Sequence, residues 1–176
     1  MLLPILFGFI SFILLLIIVG LVSAKTVYVQ QTAILSTTSA TAFDSVADFH
    51  QFVKWNAWSA KDPNMQQTFS GTPKTVGHAY KWSGNKNVGT GSMEILDIKE
   101  DLGIEMALNF GPRGGSTCGF DFEALAENQT KITWWFKSEV GSNPFRRVFG
   151  LMMERFITKD FGQGLKNLQH YLNAQK

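Results

Sequence analysis

His78, Tyr80 and Trp82 alternate along "HAYKW", so on an extended strand their side chains leave the same face. An imidazole two residues from a phenol could exchange protons with a bound molecule if that face looked into an apolar pocket, where burial shifts pKa values. His78 and Tyr80 are the acid–base candidates of the chain, and no orienting partner can be placed for either from sequence. A histidine held by local hydrogen bonds is the competing assignment. His50, His78 and His170 show no metal-ligand spacing with one another, with Cys118 or with carboxylates, so neither a metal nor another cofactor is predicted. Gly84, Gly89 and Gly91 precede no helix, and "NVGTGSMEI" reads as a hairpin and a strand bulge rather than a phosphate loop. Cys118 is the single cysteine, so no intrachain disulfide can form, and in a strand it reads as a small buried residue.

A second constellation is aromatic. In "KWNAWSAKDPNM" two of the five tryptophans, Trp55 and Trp58, stand three apart. Continued as a helix, that spacing puts both on one face, where they could cap a cavity; ordinary core packing is the alternative. Asp62-Pro63-Asn64 then turns the chain.

The elements that must carry these residues are readable. Residues 26–38 are rich in β-branched side chains and predict a strand. Residues 41–55 show helical spacing, with Ser39 and Thr41 as N-cap candidates. Strands are predicted near 67–70, 77–83, 89–98, 103–110, 116–125 and 131–140, with breaks at turn-formers including the glycine-rich 111–115. Ile104, Met106, Leu108 and Phe110 share one face against Glu105, Ala107 and Asn109, so one side of an antiparallel meander is apolar. Asn143 and Pro144 open a long C-terminal helix. Its apolar stripe is read through Phe145, Phe149, Met152 and Phe156 and, after one longer step, Phe161, Leu165, Leu168 and Leu172. Strand, helix, strands, long helix is an α+β order, and a curved sheet on one helix leaves concave surface over.

Residues 1–24 carry no charge and are long enough to span a bilayer. They read as an uncleaved transmembrane anchor. A signal peptide ending at Val22-Ser23-Ala24 is the alternative, weakened by the missing basic start and the length of the apolar run. Lys25 alone tilts the expected topology towards a cytoplasmic domain. The remainder, 25–176, suffices for one domain. A net charge of +2 and the lack of a dense basic cluster give no nucleic-acid footprint.

Taken together, "FVKWNAWSAKDPNM", "VGHAYKWSGNKNVGTGSMEI" and "KDFGQGLKNLQHYL" resemble the SRPBCC (START-like) superfamily, in its polyketide cyclase/dehydrase-like branch. The resemblance covers nearly everything after the apolar segment. It implies a helix-grip fold, as in the birch pollen allergen, with an apolar cavity between sheet and C-terminal helix. Trp55, Trp58, Tyr80, Trp82, Met93, Met106, Phe120, Trp134, Phe149 and Met152 are the expected lining, and the expected partner is a hydrophobic small molecule or lipid. A membrane-tethered binding module is the leading reading. A cyclase/dehydrase-type enzyme acting on an aromatic or polyketide-like substrate is the second. A protein-interaction domain like the heat-shock ATPase activators of the superfamily is the third.

Overall fold

The computed structural model describes residues 2–111 and 115–175. The elements run α1 (Leu2–Val22), β1 (Thr26–Leu35), α2 (Ser39–Ala47), α3 (Phe49–Trp55), a 3-10 turn (Ser59–Lys61), β2 (Gln66–Ser70), β3 (Ala79–Ser83), β4 (Thr90–Lys99), β5 (Gly103–Asn109), β6 (Gly115–Ala126), β7 (Gln129–Glu139) and α4 (Pro144–Asn173). The seven strands form one antiparallel sheet in the order β1-β7-β6-β5-β4-β3-β2. This is the helix-grip arrangement. The turn expected at 111–115 falls mostly on residues 112–114, outside the described ones.

The strands follow from alternation. In β7, Thr130, Ile132, Trp134 and Phe136 point inward and are buried, while Lys131, Thr133 and Trp135 take the other face. Gly89 turns the β3–β4 hairpin with φ 72°, a conformation that glycine adopts freely. The bulge expected beside it lies instead further along β4, between Ile95 and Asp97.

The helix expected over 41–55 is two helices. Thr38, rather than Ser39 or Thr41, caps α2. Asp48 is extended (φ −90°, ψ 107°), ends α2, and starts α3 by accepting a hydrogen bond from the His50 N–H at 2.9 Å. An aspartate that can cap competes with helix continuation.

The long helix begins as predicted, with Asn143 Oδ1 accepting from the N–H groups of Phe145 and Arg146. Its face needs correction. Phe161, Leu165, Leu168 and Leu172 are buried, whereas Phe145, Phe149, Met152 and Phe156 are exposed. At about 100° per residue, the five-residue step from Phe156 to Phe161 turns the stripe by about 500°, or about 140° net. The two halves of α4 thus present apolar residues on nearly opposite sides. Leu165→Ala is expected to lose about 2–5 kcal/mol and Lys166→Ala under about 0.5 kcal/mol, read by chemical unfolding; equal small losses would contradict the buried face.

α1 is long and apolar enough to cross a bilayer and stands largely exposed. It packs on α4, and Ile13, Leu16, Ile17 and Gly20 are among its less exposed positions. Gly20 meets the backbone of Pro144 so closely that any side chain there would collide. Beside it the buried Arg147 guanidinium donates to the carbonyls of Gly20 at 3.2 Å, Leu21 at 3.1 Å and Ser23 at 3.3 Å, while Nε donates to Gly141 at 2.9 Å. A cation on the free carbonyls of a helix C-terminus is a favourable cap.

Candidate functional site: a cavity between sheet and helix

A cavity of about 370 Å³ lies between the sheet, α4 and the segment after α3. That size is in the lower part of the range that holds small ligands. Its floor is an aromatic stack. Trp134 lies flat on Phe161 (centroids 3.9 Å apart, 9° between planes) and against Phe120 at 4.8 Å. The helix can approach this closely because residue 164 is glycine; a Cβ there would come within 2.7 Å of the Trp134 ring.

The two tryptophans of the opening motif separate. α3 ends at Trp55, and Asn56 turns the chain: its Oδ1 accepts from the N–H groups of Trp58 and Ser59, and its Nδ2 donates to the Phe52 carbonyl. Trp55 therefore goes into the core, where its indole donates to the Ser45 carbonyl at 2.9 Å. Trp58 swings onto the cavity wall, edge-on to Trp134 at 5.7 Å. The shared helical face expected of them does not exist, because the helix stops between them. Asp62 of the following turn accepts from Asn64 and from Asn85, tying the segment to the β3–β4 hairpin.

Of the expected lining, Trp58, Tyr80, Trp82, Met93 and Trp134 border the cavity. Trp55, Met106 and Phe120 lie in the core outside its wall, and Phe149 and Met152 face away from it, 62% and 54% exposed. Unforeseen wall residues include Leu108, Met153, Phe156, Ile157, Asp160 and Phe161. The α4 members would have been found by phasing the helix from Phe161 backwards instead of from Phe145 forwards. Asp160 also binds Lys61 at 2.6 Å, which fastens the Trp58 segment to α4 at the rim.

His78 does not reach the cavity. It is fully buried behind Phe49, stacked on that ring at 4.7 Å. The Phe49 N–H donates to Nε2 at 3.2 Å and Nδ1 faces the Ser70 carbonyl at 3.1 Å. A backbone donor on Nε2 assigns the proton to Nδ1, so both nitrogens of the neutral ring are committed. The donor atoms of Asp48, His50 and His78 lie within 4.8 Å of one another, but the Nε2 lone pair of His78 is taken and His50 Nδ1 is bonded to Asp48 at 2.9 Å. The expected acid–base pair is thus split: alternation puts His78 and Tyr80 on one sheet face, but Phe49 and α3 cover His78. His78→Ala is expected to lose about 2–4 kcal/mol in chemical unfolding, from two hydrogen bonds and a filled volume, with binding of an apolar probe per folded molecule unchanged.

Tyr80 is stacked between Phe69 at 5.3 Å and Trp82 at 5.4 Å. Its hydroxyl makes no hydrogen bond to the described residues, and burial pushes its pKa up to about 12. Cys118 donates weakly to Met93 Sδ, and burial, with Glu105 adding, pushes its thiol up to about 12. Both groups hold their protons more tightly folded than unfolded, so their contribution to stability is complete below about pH 9 and falls as pH rises towards 12. A pH series of unfolding curves is expected to show that decline, with a shallower slope in Tyr80→Phe.

The sequence profile of the family described as "Polyketide cyclase / dehydrase and lipid transport" matches residues 26–173. Among solved structures the fold is shared with SA2116 of Staphylococcus aureus, a protein of unknown function (TM-score 0.69, 11% identity, 86% of this chain and 96% of that one). It is shared also with MLL2253 of Mesorhizobium loti (TM-score 0.62, 15% identity, 85% and 98%) and Ms6760 of Mycobacterium smegmatis (TM-score 0.59, 15% identity, 85% and 93%). No curated protein matches the chain in sequence. On the profile match across residues 26–173, the chain belongs to the polyketide cyclase/dehydrase and lipid transport family.

Proposed function

We propose that the chain is a membrane-tethered module that binds a hydrophobic small molecule or lipid in the cavity between sheet and α4. The supporting observation is the wall: aromatic rings, methionines and aliphatic groups, with few polar groups able to orient a ligand. Among the described residues the Tyr80 hydroxyl and the indole N–H groups of Trp58, Trp82 and Trp134 have no hydrogen-bond partner. Methionines at Met93 and Met153 suit a pocket that adapts its shape. Catalysis of the cyclase/dehydrase type would need a base in the cavity. His78 is committed elsewhere, Asp160 is paired with Lys61, and Tyr80 holds its proton. The anchor is α1, and Lys25 alone inclines the domain to the cytoplasmic side.

Native mass spectrometry of the full-length protein, purified in mild detergent from its own cells, tests this. A co-purifying apolar molecule, released by unfolding, is the expected result. A folded protein that retains nothing and binds no apolar fluorophore would remove the binding reading.

A further inference from the structure

One face of α4 changes character along its length. Phe145, Phe149, Met152 and Phe156 follow one another at steps of four, three and four, and all are exposed, between 51% and 64%. Continued on the same side, the helix presents Lys159, Gln163, Lys166 and His170, also exposed. The apolar half is the half that starts at the anchor: Pro144 lies against Gly20, and Arg147 holds the last carbonyls of α1. The stripe is about 16 Å long, from eleven steps at helical rise. Arg146, Arg155 and Lys159 flank it, all exposed, with side chains long enough to reach lipid phosphates while the stripe sinks. Phe156 belongs both to this stripe and to the cavity wall.

We infer that the first half of α4 is a second membrane contact, lying in the interface of the bilayer that α1 enters and holding the cavity mouth against it. The occupant of the exposed stripe is lipid. A soluble protein surface would leave unexplained why the apolar stretch ends as the helix leaves the anchor, and why cations border it. An apolar ligand would pass between acyl chains and cavity along Phe156 without crossing water. The inference rests on the reading of α1 as a membrane span, and the test separates the two.

The full-length protein is reconstituted in vesicles of phosphatidylcholine and phosphatidylglycerol, with one nitroxide label at a time. The variants are Leu14→Cys, Phe149→Cys, Met152→Cys and Gln163→Cys; the unsubstituted chain is the labelling control, because Cys118 is buried. Collisions with oxygen, which concentrates in lipid, and with a water-soluble nickel chelate report the surroundings. Labels at 149 and 152 are expected to favour oxygen, though less than the deeper position 14, and position 163 to favour the chelate. If 14 favours oxygen but 149 and 152 behave like 163, the second contact is refuted and the anchor stands. If 14 favours the chelate, the anchor reading fails and the inference with it. Spin–spin broadening at 152 would put a second copy on the stripe and overturn the inference.

Discussion

Replacing Trp134 with alanine is expected to destabilise the domain by about 3–5 kcal/mol, the largest loss among single truncations considered. The ring is 2% exposed and is the hub of the aromatic floor, with Phe161 and Phe120 flat against it and Phe52, Trp55 and Trp58 edge-on. Its removal opens a void that α4 cannot close, because the helix is held at both ends, by Arg147 on α1 and by Leu168 and Leu172 in the core. A typical domain has about 5–15 kcal/mol of stability, so Trp134→Ala is expected to lose a large fraction of it and to unfold at a clearly lower urea concentration. Urea unfolding in detergent, followed by far-ultraviolet circular dichroism, measures it. A loss below about 1 kcal/mol would mean that the stack is not the centre of the core.

The second large effect separates neighbours on α4. Met153→Arg puts a cation on the cavity wall, and it is expected to weaken an apolar fluorophore by at least about tenfold, or about 1.4 kcal/mol, in detergent solution. Met152→Arg, on the exposed side, is expected to leave that affinity unchanged. Met153→Leu restores an apolar wall and should restore binding. Thermal melts of all three show whether folding is retained. Equal affinities for the two arginine variants would place the ligand outside this cavity.

Much of the fold was legible because it rests on local chemistry. Alternation in β5 and β7, the Asn143-Pro144 start of α4 and the glycine turn at Gly89 each carry their own signal. The site was legible only in part. Tyr80, Trp82, Met93 and Trp134 were readable as wall residues because their types and strand faces agreed; Trp58 is also on the wall, but not through the helical face expected of it. Two things were not. The phase of α4 shifts at Phe156 to Phe161, and a stripe that slips by one residue in eleven looks continuous until it must choose a side. His78 is clamped by backbone groups of Phe49 and Ser70, and a backbone donor has no residue type by which sequence could announce it.

The Arg147 cap has a mechanical consequence. The guanidinium bridges the final carbonyls of α1 to Gly141, while the Val140 and Gly141 N–H groups donate to the Lys25 carbonyl at 2.9 and 3.2 Å. The join between α1 and β1 is therefore a clamped elbow rather than a leash. Tilt or rotation of α1 is transmitted to the whole sheet, and the cavity keeps one bearing and one height relative to whatever surrounds α1. Such a joint gives the domain little freedom to swing about α1: with the clamp cut, only the covalent link through residues 23–25 would join the two, and the cavity opening would sweep a wide arc instead of holding one position.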